Sequence, residues 1–311
     1  MKEFQKTIEQ HTFHVYTEGR EQLPALVCLH GVTADSKTFT GMVEHMKNHF
    51  HLILLDGPGH GRTRPLVHEE DYAFSFLAKR LDQVIMQLTS KPFFIMGHSW
   101  GADLALHYTK AFPEKIEGVI LLDGGYVFPE HVPGLTKEKA LSAWGEYSHT
   151  SVYSSWGEFV DTYQGYTTKK WDDTLDLTIA SNFKKEKGKY RLVAESFSLL
   201  SMIKAFYREP SSTAYTDINC PTLLFHAALP LTDKSRKQGL RQIQESIPDL
   251  KVIGIKNTKH NVHWDAPEKV SQEIKLWIGN DILEVAHNAG KIQNVYTTFW
   301  PRTNDSNLFT N

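Results

Sequence analysis

"KPFFIMGHSWGADLALHYTKAF", residues 91–112, changes periodicity in its middle. The apolar run on the left is short and rich in strand formers, while the right-hand part has helical spacing. Between them stands Gly97-His98-Ser99-Trp100-Gly101. Two glycines relieve crowding where a strand bends sharply into a helix, but nothing about the bend requires a serine. That geometry lifts a side-chain oxygen clear of the carboxyl edge of a sheet, with a helix N-terminus beneath it. Glycine and serine are common in loops, so the five-residue pattern alone is weak. Its strand-to-helix context makes Ser99 a candidate nucleophile rather than a turn residue.

The same alternation extends outward. "ALVCLH" (25–30), "HLILLD" (51–56), "IEGVILLD" (116–123), "PTLLFHA" (221–227) and "LKVIGI" (250–255) read as strands. "KTFTGMVEHMKNHF", "YAFSFLAKRLDQVIMQL" (72–88), "SRKQGLRQIQES" and "PEKVSQEIKLWI" (267–278) read as helices. Apolar strands alternating with amphipathic helices predict a doubly wound α/β core on a parallel sheet buried on both faces. The rhythm breaks after "DGGY" (123–126). Residues 127–215 hold Trp- and Tyr-rich helical stretches such as "LSAWGEYSH", "WGEFVDTYQGY", "KKWDDTLDLTIASNF" and "SFSLLSMIKAFY", with no comparable strand. The expected division is a core of 1–126 and 216–280, a helical cap or lid over 127–215, and an irregular tail over 281–311.

Composition narrows the function classes. The chain has 311 residues, 41% of them hydrophobic, and a net charge of −2, enough for a sizeable core and no electrostatic footprint for nucleic acid or an anionic membrane. No window reaches the roughly 18 apolar residues that span a bilayer, and the N-terminus lacks a signal-peptide pattern. A cytoplasmic protein acting on a small molecule is expected. Cys28 and Cys220, the two cysteines, lie outside any CxxC or metal spacing and read as reduced small hydrophobes. His45, His49 and His51 lack a carboxylate at ligand spacing, so no metal site is expected. "DGPGHGRT" (56–63) lacks the Lys-Ser/Thr of a P-loop and the spacing of a dinucleotide fingerprint, so it reads as a shaped turn.

A serine hydroxyl needs a base. Among 16 histidines, His260 in "NTKHNVHWDAP" is preferred, since it follows the last strand and can overhang the sheet's carboxyl edge. His263 leads into the next helix and is the weaker candidate. The N–H of Trp100 and that of Val32, in the loop after "VCLHG", would serve a developing oxyanion.

"VCLHGVTADSKTF", "LILLDGPGHGRT", "FFIMGHSWGADLALHYTKAFPEKIEGVILLDGG" and "NTKHNVHWDAPEKVSQEI" together resemble the α/β-hydrolase superfamily in order and spacing, over about 12–126 and 216–280. The resemblance implies an eight-stranded, mostly parallel sheet, a helical cap, a Ser–acid–His triad with Ser99 and His260, and no cofactor. It departs at Lys259, where glycine is usual, and after His30-Gly31, which lacks the further "GPG" of proline iminopeptidases. Ser99 stands where epoxide hydrolases and haloalkane dehalogenases carry aspartate, which argues against both chemistries. The acid is usually in the loop after the seventh strand, here "ALPLTDKS", where counting leads to Pro230, which has no carboxylate. Asp233 reads as a helix N-cap. Asp123, at the end of the sixth strand, is chosen, with Asp233 as the alternative. The expected reaction is hydrolysis of a small, apolar carboxylic ester through an acyl-enzyme. A peptidase or lactonase, a cofactor-free lyase or peroxidase, and a non-catalytic ligand-binding homologue remain alternatives.

Overall fold

The computed structural model describes residues 1–228 and 233–279. Its strands are β1 (Lys2–Ile8), β2 (His11–Glu18), β3 (Ala25–Leu29), β4 (His51–Leu55), β5 (Phe93–His98), β6 (Ile116–Leu122), β7 (Val152–Tyr153), β8 (Phe183–Glu186), β9 (Lys189–Leu192), β10 (Thr222–Ala227) and β11 (Leu250–Ile255). The helices are α1 (Thr40–Met46), α2 (Phe74–Ile85), α3 (Trp100–Ala111), α4 (Lys137–Thr150), α5 (Trp156–Tyr163), α6 (Asp173–Ile179), α7 (Ser196–Arg208), α8 (Lys234–Ser246), α9 (Val262–Asp265) and α10 (Pro267–Leu276).

Eight strands form one sheet in the order β1-β2-β4-β3-β5-β6-β10-β11. The β1–β2 and β2–β4 pairs are antiparallel and the rest parallel, matching the mostly parallel sheet expected. Every residue of β3, β4 and β5 is buried. Alternation along each strand divides the side chains between two cores. Val27, Leu29, Ile95 and Leu121 pack with Leu77 and Leu81 of α2 and Leu104 of α3. Leu26, Cys28, Phe94 and Leu122 pack on the other face with Met42 and Met46 of α1 and Ile274 of α10. Each fully buried Leu, Ile or Phe contributes about 1.5–3 kcal/mol, so these strands are held from both sides. Neither cysteine is in a disulfide, and Cys28 is part of the second core.

The chain runs from β3 to β4 on one side and then crosses to β5 on the other, so the strand order reverses at β3. Helices cannot cover both sides of that point equally, and a crevice opens beyond the carboxyl ends of β3 and β5. His30 and Ser99 follow those ends.

Between β6 and β10 the chain forms α4–α7 and, unexpectedly, a small antiparallel sheet in the order β7-β9-β8. The expectation of a helical segment over 127–215 with no comparable strand is corrected to a mainly helical one that also holds this short-stranded sheet. Lys187 (φ 49°) and Gly188 (φ 79°) form the turn between β8 and β9, the two-positive-φ geometry that suits a tight hairpin. Tyr153, Phe183 and Leu192 bury one face of this ribbon against Phe159 and Tyr163 of α5. The expected tail over 281–311 and Pro230 lie outside the described residues.

Candidate active site

Gly97 and Gly101 let the chain turn at the end of β5. A Cβ on Gly97 would come within 2.0 Å of the Gly101 carbonyl, and one on Gly101 within 2.2 Å of the Leu29 carbonyl. Ser99 sits at the apex with φ 51° and ψ −122°, immediately before α3. Its N–H donates to the Leu122 carbonyl at 3.1 Å, so the apex is anchored to the neighbouring strand. A non-glycine residue in this region stores strain. Three of the six non-glycine positive-φ residues described, Thr33, Ser99 and Asp123, line a single cavity of about 600 Å³. Gly124 closes its floor, for a Cβ there would lie 2.7 Å from Ser99 Cα and N.

Asp123 begins the loop after β6. Its N–H donates to the Phe225 carbonyl at 2.8 Å, which fixes it beside β10. Its side chain is fully buried and accepts hydrogen bonds on every side. His260 Nδ1 lies 2.8 Å from Oδ2. Tyr126 Oη and the Ala227 N–H each donate to Oδ1 at 2.9 Å. Arg236, from the first turn of α8, forks onto both oxygens, with Nη1 to Oδ2 at 3.2 Å and Nη2 on Oδ1. Burial pushes the carboxyl up, but hydrogen bonds and charge from His260 and Arg236 outweigh it and hold Asp123 well below the usual carboxylate range. The group is therefore an ionised acceptor, which suits it to holding an imidazole in one tautomer.

His260 is exposed and lines the same cavity as Ser99 and Asp123. Its loop is tied at several points. Asn257 takes the left-handed conformation (φ 55°), which Asn tolerates, and Lys259 does not. The usual glycine is thus dispensable at 259, because the left-handed residue lies two positions earlier. The Lys259 N–H donates to Asp265 at 2.7 Å, and Asp265 also accepts the N–H of Thr168 at 2.8 Å. His98 Nε2 donates to the His260 carbonyl at 3.2 Å.

His263 goes elsewhere. It is buried, lies 2.9 Å from Thr38 Oγ1 through Nε2, and burial lowers its pKa to about 3. Asp233 lines the cavity but caps α8, accepting the N–H groups of Ser235 and Arg236 at 2.9 and 3.4 Å. The arrangement thus brings Asp123, and not Asp233, to His260.

Val32 lines the cavity mouth, and its N–H makes no hydrogen bond among the described residues. Trp100 is the first residue of α3, so its N–H has no carbonyl four residues back in the helix. Its indole is buried against Phe74 and His30, away from the cavity. The glycine-rich 56–63 turn braces the Val32 loop. Asp56 accepts the N–H of Ser36 at 3.0 Å and of Arg62 at 2.9 Å, and the Gly57 N–H donates to His30 Nε2 at 2.8 Å. Arg236, Tyr126 and His98 were not singled out in the sequence. Tyr126 follows "DGG" directly, so proximity to Asp123 was its available signal.

The alpha/beta hydrolase fold family matches residues 24–267, and the chain belongs to it. Its relatives include proteins named as a hydrolase, a monoacylglycerol lipase and a methylesterase, and the matches to the last two span 37% and 35% of those relatives' length. It is 30% identical over 142 residues to a serine hydrolase-like protein of Danio rerio, a match covering 45% of this chain and 43% of that relative's length. Nearly end to end, it is 23% identical to the (E)-2-((N-methylformamido)methylene)succinate hydrolase of Acinetobacter baylyi, covering 86% of this chain and 94% of the other. Among solved structures, E-2-(acetamidomethylene)succinate hydrolase aligns with a TM-score of 0.73 at 21% identity, over 91% of this chain and 99% of that one. A thioesterase domain from the curacin biosynthetic pathway aligns at 0.72 and 18% identity, over 88% and 98%. At these identities the two structures establish the fold alone. Among the described residues no helix is long and apolar enough to cross a membrane.

Proposed function

We propose that this chain is a cytoplasmic serine hydrolase that cleaves a small, uncharged carboxylic ester through an acyl-enzyme. Ser99 Oγ attacks the carbonyl carbon while His260 Nε2 takes its proton, and Asp123 keeps Nδ1 protonated so that Nε2 can act as the base. The oxyanion meets the N–H groups of Val32 and Trp100, strengthened by the positive end of α3. His260 returns the proton to the leaving alcohol. Water then attacks the acyl-Ser99 ester by the same route, releasing the acid and restoring the serine. The observation that carries this reading is the 2.8 Å contact of His260 Nδ1 with a buried, ionised Asp123, in one cavity with a strained serine at a helix N-terminus.

Residues 127–215 act as a cap over the core formed by 1–126 and 216–279. Phe128, Trp144, Tyr147 and Phe206 give the cavity an aromatic wall, which favours apolar acyl or alcohol groups. The one cationic side chain among the described lining residues, Arg236, is committed to Asp123. A dicarboxylate such as the names of two relatives imply would find no free cation there.

Purified protein on p-nitrophenyl butyrate, beside a p-nitroanilide of the same acid, tests the reading. Ser99→Ala is expected to fold, to lose at least about 10³-fold in turnover, and to escape labelling by a fluorophosphonate. Turnover like wild type in that variant would remove Ser99 from the chemistry. Faster cleavage of the anilide would favour an amidase on the same residues.

A further inference from the structure

The cavity lining also holds a polar group that the hydrolysis scheme does not use. Asn182 ends the short helical turn Ala180–Asn182 that leads into β8. Its carbonyl accepts the Val193 N–H at 2.8 Å, which fixes the backbone. Its side chain is only 5% exposed and lines the cavity shared by Ser99 and His260. Five polar side chains lining that cavity are buried: His98, Asp103, Asp123, Asn182 and Asn261. His98 holds the His260 carbonyl, Asp103 takes the Ser211 hydroxyl, Asp123 holds His260, and Asn261 donates to the Tyr166 carbonyl at 3.4 Å. The Asn182 amide alone makes no side-chain hydrogen bond among the described residues, and its oxygen is buried. Tyr147 and Tyr163, which line the same cavity, bond each other at 3.0 Å.

Leaving a buried amide unpaired is unfavourable, and native proteins rarely do so without a reason. A primary amide offers one acceptor and two donors, so its complement is a group with both capacities, such as a carboxamide or hydroxyl. Charge in the cavity selects further. Asp123 is ionised and Asp233 also lines the cavity, while burial raises Asp103 to about 7. Against them stands Arg236, already forked onto Asp123. An anionic substrate group would face net negative charge without a free cation.

We propose that Asn182 is a specificity-determining residue, and that the substrate is a neutral ester whose apolar body carries a second uncharged hydrogen-bonding group that pairs with the Asn182 amide. This rests on the serine-hydrolase reading of the same cavity. The apolar wall takes the body of the substrate and Asn182 sets its register, so that the scissile carbonyl falls at Ser99. A site built around such a bond discriminates strongly against an analogue that lacks the partner, because the buried amide is then left unpaired.

The test compares p-nitrophenyl N-acetyl-β-alaninate, which carries a secondary amide, with p-nitrophenyl hexanoate of similar length. For the wild type, kcat/KM is expected to favour the amide-bearing ester by about tenfold or more. In Asn182→Leu that ratio should fall to near one. Asn182→Asp, which keeps the shape but loses the donor, should also lower the ratio and covers the case in which the leucine variant does not fold. Equal preference in the wild type, or variants that slow both esters by the same factor, would overturn the proposal. Fluorophosphonate labelling of Ser99 is read in parallel. Labelling without ester discrimination defeats the role of Asn182 alone, whereas absence of labelling in the wild type defeats the underlying reaction.

Discussion

Replacing Arg236 by methionine isolates what the guanidinium does for Asp123. The pair is nearly dry, with the aspartate side chain fully buried and the arginine 16% exposed. The fork also reaches the Ala227 carbonyl at 3.1 Å, so one side chain ties α8 to the ends of β6 and β10. Removing one partner of a buried ion pair typically costs 3–5 kcal/mol, and the partial exposure of Arg236 places the expected loss near the lower limit, about 3 kcal/mol. For a chain of this size that corresponds to a fall in Tm of roughly 6 °C. The loss should depend on pH. Burial pushes Asp123 up, and His260 and Arg236 reverse this, so its folded pKa is depressed below the reference 3.8. That contribution is present above the unfolded value and lost only as pH falls through the lower folded value. Without Arg236 burial is less opposed and the folded value rises, so the variant protonates Asp123 earlier on acidification. Melts should show the full gap to wild type near pH 7, narrowing only once pH falls below the variant's raised carboxyl pKa and continuing to narrow below pH 3.8 toward the depressed wild-type value. Turnover should fall by about tenfold, mainly in kcat, since a less firmly held carboxylate orients His260 less well. Arg236→Lys retains the charge but not the fork, and should lie between the two. A Tm at pH 7 within about a degree of wild type, or a gap that does not change with pH, would refute the reasoning.

The choice of acid can be tested directly. Asp123→Asn should lower kcat by about 10⁴-fold through the wrong imidazole tautomer. Asp233→Asn should change turnover by no more than a few-fold, because it caps α8 and Asn caps nearly as well; the opposite ranking would move the acid to the later loop. Gly124→Ala drives a methyl to within 2.5 Å of the Ser99 backbone. It should cost about 1–3 kcal/mol in a denaturant titration and slow acylation by displacing the serine, whereas an alanine variant with native stability would mean that the floor beneath Ser99 can yield.

Sequence carried the strands best where they are buried on both faces. β3, β4 and β5 are near-continuous apolar runs with punctuated ends, and their limits differ from the expected ones by a residue or so. The β1–β2 hairpin was harder, since β1 is an edge strand with mostly exposed residues and its apolar content is Phe4 and Ile8. β8 reads Phe-Lys-Lys-Glu and β9 Lys-Tyr-Arg-Leu. Their burial rests on Phe183 and Leu192, which is too little periodicity to register over four residues, although Lys187-Gly188 was a visible turn signal. In the candidate site, local chemistry pointed to Ser99 because its strain is produced by its immediate neighbours. Arg236 was invisible for the opposite reason. It is one of several cations in a strongly polar helix, and only the fold distinguishes it by bringing α8 over the end of β6. Asn182 likewise looks like an ordinary turn residue until the cavity closes around it.

The position of Asp123 follows from the register of two neighbouring strands. β6 and β10 are parallel, with Leu122 opposite Phe225, so Asp123 leaves β6 just as the chain approaches the end of β10. Two residues beyond Phe225, the Ala227 N–H meets the Asp123 carboxylate. Asp123 therefore sits beside the end of β10, within reach of His260. Just after β6, Asp123 adopts a left-handed backbone (φ 47°), which Asp tolerates better than most residues, and Gly125 (φ 77°) follows. It also becomes fully buried, and a buried carboxylate needs compensating donors. Tyr126 supplies one from the same loop and Arg236 supplies charge from α8, the helix that follows the loop where the acid is more usually found. The helix after β10 thus delivers a cation to Asp123, and this predicts that Asp123 and Arg236 function as a unit. In a double-mutant cycle, Asp123→Asn with Arg236→Met should be much less destabilised than the sum of the two single variants, since the neutral amide leaves no buried charge to orphan. Additive losses would show that the arginine supports the fold independently of the acid.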